Sequence, residues 1–260
     1  MPRTRTPDLP GEAVDPLHPA AAPPPAFVNT IRGRVRRFVV TNGRGPGWDR
    51  HRPTREQPGW SGHAAFMDGL VDQGVVLCGG PVGDEERFVL VADAANEPAL
   101  RSQLGADPWV GTGVLANTSI ERWTIWLGAD ERLKGAAASR LALVRYRPGP
   151  DWDSSKPRRQ QIGWSAHGAF MDELTERGVV LLGGPLDQQR ALLVVRAREG
   201  AEALAELAAD PWLGRVLTLD SLEPWTLWVS PPTLGPRQRA PDHPETGRRP
   251  PEAGGLASAG

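Results

Sequence analysis

The 260-residue chain carries 30 Lys and Arg against 31 Asp and Glu, a formal net charge of −1, and a single cysteine, Cys78. The charge balance gives no electrostatic reason to expect a nucleic-acid partner, and one cysteine excludes an internal disulfide and a cysteine-based metal site. No apolar run approaches the ~20 residues of a membrane span, and the N-terminal segment has no apolar core of a secretory signal, so a soluble, cytoplasmic protein is expected.

Eight of the 27 prolines fall within residues 1–26 and seven more follow Val229. Both ends hold few large apolar residues and cannot offset the entropy of ordering, so 1–33 and 231–260 are expected to be disordered proline-rich tails. Between them the alternating run VRRFVVT (35–41) predicts a strand, followed by the loop GPGWD (45–49). A helix carrying GWSGHAAFMD (59–68) should run to Gly74. Its start stays open, because Ser61 could cap it and Pro53, or Pro157 in the equivalent segment, could begin it two turns earlier. Two strands follow, VVLCGGP (75–81) and RFVLVADA (87–94), then a helix over about 96–106, ended by Asp107-Pro108-Trp109, and a strand over 114–127. Cys78, in the first of these strands, is expected to be a buried, inert thiol.

After a linker, 129–140, the same order returns. LALVRYR (141–147), GPDWD (149–153), GWSAHGAFMD (163–172), Gly178, VVLLGGP (179–185), RALLVVRA (190–197), a helix over about 199–209, Asp210-Pro211-Trp212 and a strand over 216–229 match the first set one for one. Residues 45–81 and 149–185 are identical at 23 of 37 positions without a gap, and all ten tryptophans pair between the halves. This is a tandem duplication. The order β-α-β-β-α-β in each copy predicts an α+β fold, a ferredoxin-like sheet with helices on one face. Apolar residues on both sides of the last strand suggest that the bare faces of two such sheets meet. Two units, 34–128 and 141–230, would then form a dimeric α/β barrel within one chain, a pseudo-dimer that further oligomerisation could extend. Pro224 suggests an edge or bulge in the last strand.

Placed on a helix, Trp60, His63, Phe66, Met67, Leu70 and Val71 share one stripe, and Trp164, His167, Phe170, Met171 and Leu174 repeat it. Each histidine should therefore face the sheet, where its N–H needs a partner. Three acidic positions recur in both copies. Asp68 and Asp172 face away from the stripe, whereas Asp49 and Asp153, in the first loop, and Asp107 and Asp210, after the second helix, remain candidates. No metal-ligand spacing, no glycine-rich nucleotide loop before a helix and no repeated Ser-His-Asp order appears, so neither metal nor cofactor is expected. Arg55 and Arg159, with Gln57 and Gln161, recur before the helix and could bind a carboxylate, but surface roles are expected for them, and core positions for Trp123, Trp126, Trp225 and Trp228.

The pattern GPxWD, QxGWSxHxAFMDxL, GVVLxGGP, ADPW and RW or PW near the last strand resembles the YCII-related family, in both halves (about 38–128 and 142–229). The resemblance implies a ferredoxin-like unit of dimeric α/β-barrel type and a His–Asp active-site pair, which falls on His63 with Asp107 and on His167 with Asp210. It also implies chemistry akin to a relative that eliminates HCl from a chlorinated hydroxyquinol, and to the barrel superfamily's muconolactone isomerase. The residues suit such chemistry by themselves. An imidazole held in one tautomer by a carboxylate can take a proton from carbon and return it elsewhere. Trp48, Trp60 and Trp109, with Trp152, Trp164 and Trp212, offer flat faces for an aromatic or carbonyl metabolite. Gly80 and Gly184 would let the backbone approach a ligand. The expectation is a cofactor-independent lyase or isomerase acting on a small molecule. The alternative is a non-catalytic ligand-binding or accessory module in which the pair is structural.

Overall fold

A computed structural model describes residues 35–133, 141–197 and 200–230. The tail expectations for 1–33 and 231–260 and most of the 129–140 linker lie outside these residues. In chain order the elements of the first half are β1 (Arg36–Arg44), α1 (Trp60–Asp72), β2 (Val76–Val82), β3 (Arg87–Ala94), α2 (Glu97–Leu104), α3 (Pro108–Gly111), β4 (Leu115–Arg122) and the short β5 (Leu127–Gly128). The second half has β6 (Leu141–Pro148), α4 (Trp164–Glu176), β7 (Val180–Pro185), β8 (Ala191–Arg196), α5 (Gly200–Leu207) and β9 (Leu217–Trp225). The fold is α+β, with one large antiparallel sheet of nine strands in the order β4-β1-β3-β2-β9-β6-β8-β7-β5. Its two end strands, β4 and β5, are successive segments of the stretch 115–128.

Strand alternation explains the layering. Phe38 and Val40 of β1 join Met67 and Leu70 of α1 and Leu100 and Leu104 of α2 in one buried cluster. Val144 of β6 joins Met171 and Leu174 of α4 and Leu207 of α5 in its counterpart. The intervening residues point the other way, as period-2 alternation requires. Val39, Val89, Val91, Leu141, Leu143, Leu192 and Val194 form a third cluster, drawn from both halves, with Cys78 fully buried among them. Each such side chain, fully buried, contributes about 1.5–3 kcal/mol. Burial pushes the Cys78 thiol up to about 12, so it is not a nucleophile at neutral pH.

Each half sends the end of its last strand to the other, while β4 stays paired with β1 and β9 with β6. The 114–127 expectation breaks at Arg122, because the chain leaves β1 there and crosses to the other half: the Thr124 N–H donates to Pro185 O at 3.0 Å and the Trp126 N–H to Gly183 O at 2.8 Å. The reverse crossing matches it, with the Thr226 N–H donating to Pro81 O at 3.1 Å and the Trp228 N–H to Gly79 O at 2.8 Å. Pro224 marks the same crossing, where β9 passes from β6 to β2; the register shift along β9 lies instead opposite Arg145/Tyr146. Two pairs of ions repeat the crossing. Arg190 meets Glu121 at 2.7 Å, and Arg87 meets Glu223.

Candidate functional site

Helices α1 and α4 begin at Trp60 and Trp164, later than the two prolines would have started them. The residue before each is a glycine with positive φ, 77° at Gly59 and 73° at Gly163, a conformation that a Cβ disfavours. A one-turn 3-10 helix and a buried glutamine precede it. Gln57 Oε1 accepts from the Asp49 N–H at 2.9 Å, while Nε2 donates to Asp49 O at 2.7 Å and to Arg52 O at 2.8 Å. Gln161 does the same for Asp153 and Lys156. These glutamines were expected at the surface, but at 2 % and 3 % exposure they are the pins of the loop. Asp49 and Asp153 thereby stay with their own loops rather than with the histidines.

The histidines sit on the first turn of α1 and α4. His63 Nδ1 lies 2.8 Å from Asp107 Oδ2 and 3.0 Å from Oδ1; His167 Nδ1 lies 2.8 Å from Asp210 Oδ1. Each aspartate is 5 % exposed and holds a second donor, the N–H of Trp109 or Trp212, at 2.9 Å. Asp107 is thus the N-cap of α3 and the histidine's partner together. A buried, ionised carboxylate only accepts, so Nδ1 carries the hydrogen and donates. The ring lies flat on the indole of the residue two beyond the aspartate, with centroids 4.0 Å apart for His63–Trp109 and 4.1 Å for His167–Trp212. Each indole N–H is anchored in turn, to Pro58 O at 2.7 Å and to Ile162 O at 2.8 Å. Cap, stack and anchor leave Nε2 as the free nitrogen, with no hydrogen-bond partner among the described residues. The histidine side chains keep 13 % and 14 % exposure.

Several expected ligand contacts are corrected by this geometry. Trp109 and Trp212 are 1 % exposed and give their faces to the histidines, and Trp48, 8 % exposed, packs on Phe88 and edge-on to Trp109. Trp109 and Trp212 are walls of the core, and Trp48 stands between that core and a surface depression. Trp152 is half-buried, 6.4 Å from Trp212 and under the Arg158 guanidinium. Trp60 and Trp164, also half-buried, remain beside the imidazoles at 5.8 and 6.0 Å. Gly80 and Gly184 do approach backbone closely, but the backbone is that of the other half. A Cβ on Gly80 would lie 2.0 Å from Thr226 O, and one on Gly184 2.1 Å from Thr124 O. Their carbonyls accept from Trp225 Nε1 at 3.2 Å and Trp123 Nε1 at 3.1 Å.

Trp126 and Trp228 were expected in the core; Trp228 packs against a core cluster of the first half, whereas Trp126 is exposed beside the second half's Trp164. Trp228 stands edge-on to Trp60 at 6.1 Å, and Trp126 edge-on to Trp164 at 5.9 Å. Trp126 is 40 % exposed. No local pattern could have shown this, because the contacts depend on where each last strand crosses. A surface depression of about 450 Å³ lies elsewhere, lined by Arg44, Gly45, Pro46, Trp48, Arg50 and Glu86, and neither histidine borders it. Among the described residues no group of three or more His, Cys, Asp or Glu could hold a metal ion, and no helix is long and apolar enough to cross a membrane.

No family model matches the chain, and no curated protein matches its sequence. Solved structures do match. A heme-binding protein from Thermus thermophilus superposes with a TM-score of 0.50 at 14 % identity, over 75 % of this chain and 92 % of that one. A protein described as a candidate monooxygenase from Lactobacillus acidophilus gives a TM-score of 0.41 at 9 % identity, over 75 % and 94 %. At such identity the likeness to the first is one of fold alone, and it agrees with a ferredoxin-like α+β architecture.

Proposed function

We propose that this chain is a YCII-related, cofactor-independent lyase or isomerase. In this reading two duplicated ferredoxin-like units, 34–128 and 141–230, close as a barrel inside one chain, and each carries a His–Asp general acid–base pair, His63/Asp107 and His167/Asp210. The observation that carries the reading is the fixed imidazole: Nδ1 is tied to a buried carboxylate at 2.8 Å in both halves, and Nε2 is left without a partner among the described residues. That is the arrangement a general base needs, with one nitrogen oriented and the other presented. The order of family-like motifs supports the class, and the closure is supported by the strands at the two ends of the sheet order, β4 and β5, being successive segments of one stretch.

The chemistry balances without an added group. Nε2 takes a proton from a substrate carbon, and the electron pair of that C–H bond becomes the new π bond. In an elimination, the leaving group departs with the electron pair of its own bond. In an isomerisation, the imidazolium returns the proton at another carbon. The substrate class is a small carbonyl or phenolic metabolite, whose carbon acid is weak enough to need a positioned base and strong enough to yield to an imidazole.

Deuterium exchange tests it. Phenolic and carbonyl acids incubated in D2O should exchange their acidic carbon-bound protons faster with the wild type than with His63→Ala/His167→Ala, by about 100-fold or more. Exchange equal in the two proteins ends the catalytic reading. It would favour a non-catalytic ligand-binding module, a reading to which the low exposure of both histidines already lends weight.

A further inference from the structure

Two arginines that the sequence offered as possible carboxylate ligands, though expected at the surface, occupy equivalent places over tryptophans in the two halves. The Arg55 guanidinium lies over Trp228 at 4.9 Å and 6.0 Å from Trp60. The Arg159 guanidinium lies over Trp126 at 5.1 Å and 6.0 Å from Trp164. Each cluster joins one half's arginine and helix tryptophan to the other half's last strand. Both arginines are exposed, and neither has a carboxylate partner among the described residues. In the second cluster Trp126 is 40 % exposed.

We propose that these clusters are two binding sites for a planar organic anion, an aromatic carboxylate in chemical class, which would be the substrate of the adjacent pairs if the reading above holds. An arginine stacked on indole satisfies its face and keeps its edge, and that edge presents parallel N–H donors that match a carboxylate. Two tryptophans at right angles supply a flat apolar wall for the ligand's ring and a second wall beside it. The same tryptophan joins anion site and base: Trp60 is 6.0 Å from the Arg55 guanidinium and 5.8 Å from the His63 ring, and Trp164 is 6.0 Å from both Arg159 and His167. A ring lying against that tryptophan, with its carboxylate on the arginine, would have its far side near Nε2. A lone cation–π pair at a surface is often only packing. Here the pair recurs at matched positions, its charge is uncompensated among the described residues each time, and both occurrences are assembled across the halves.

Calorimetric titration with 2-naphthoate and its neutral amide, 2-naphthamide, tests the assignment without requiring turnover. The acid should bind wild type at least about tenfold tighter than the amide. Arg55→Gln/Arg159→Gln should abolish that preference, Arg55→Lys/Arg159→Lys should retain part of it, and Arg55→Gln alone should halve the stoichiometry. Any proton exchange on the bound acid should be lost in His63→Ala/His167→Ala. Equal affinity for acid and amide, or acid binding unchanged in the folded arginine-to-glutamine double variant, overturns the proposal. Acid-selective binding that depends on the arginines, with no histidine-dependent exchange on any substrate, supports the binding sites and removes only the catalytic reading.

Discussion

The two sites share their inner geometry and differ in what surrounds it. In the first half Phe88 of β3 stands opposite Asn42 and touches both Trp48 and Trp228, at 6.0 and 6.1 Å. In the second half the matching strand residue is Ala191, and the bulk has moved across the ladder to its partner, Tyr146. The first site is therefore the more filled: Trp48 is 8 % exposed and Trp228 half-buried, whereas Trp152 is half-buried and Trp126 is 40 % exposed. Yet the His–Asp distance is 2.8 Å in both halves, and both rings lie flat on their indoles. The pair is thus set by elements that the crossing does not touch: the Asp-Pro-Trp turn, the glycine before the helix and the glutamine that pins the loop.

The harshest way to break the comparison is to separate the halves. A methyl at Gly80 or Gly184 would collide with the other half's backbone, and a carbonyl oxygen cannot yield as a side-chain end can. Gly80→Ala and Gly184→Ala should each cost about 4 kcal/mol or more in denaturant unfolding, or fail to fold. Gly184→Ala should cost at least as much as Gly80→Ala, because the approach distances match and Gly184 also has a φ of 153°. A loss below about 1 kcal/mol in either would mean that the strands there do not meet as described.

A smaller change should make one site resemble the other. Phe88→Ala should cost about 3 kcal/mol and expose Trp228, so that acrylamide quenching in a Trp126→Phe background rises toward that of Trp126 in a Trp228→Phe background. Unchanged quenching would show that Phe88 does not set the difference. The mildest change concerns position 42 and its equivalent, 146. Asn42 Oδ1 and Tyr146 Oη are buried without a hydrogen-bond partner among the described residues, and burial, then the charge of Asp210, pushes the tyrosine phenol up. An unpartnered buried hydroxyl costs about 1–3 kcal/mol, so Tyr146→Phe should leave stability unchanged or raise it by about 1 kcal/mol. A loss of that size would mean that the hydroxyl has a partner after all.

These same residues show what could be read from sequence and why the remainder could not. The repeat, the element order and the stripe containing His63 and His167 are local or periodic. Asp107 and Asp210 could be named as candidates because they recur at one turn. Gln57 and Gln161 looked like surface polar residues, since their burial depends on a loop folding back over them. Trp126 was misplaced, and Gly80, Gly184 and Trp228 could not be given their partners, for one common reason. Their partners lie in the other half, and only the path of the crossing strands determines which backbone or ring they meet. The arginines over Trp228 and Trp126 follow from the same crossing.

The account turns on one nitrogen in each half. Nitrogen-15 NMR of the neutral imidazoles in uniformly labelled protein reports which ring nitrogen bears hydrogen. The geometry predicts the Nδ1–H tautomer for both His63 and His167, with Nε2 unprotonated, and loss of that preference for His63 alone in Asp107→Ala and for His167 alone in Asp210→Ala. Nε2–H tautomers in the wild type would contradict the arrangement and leave neither histidine as the base.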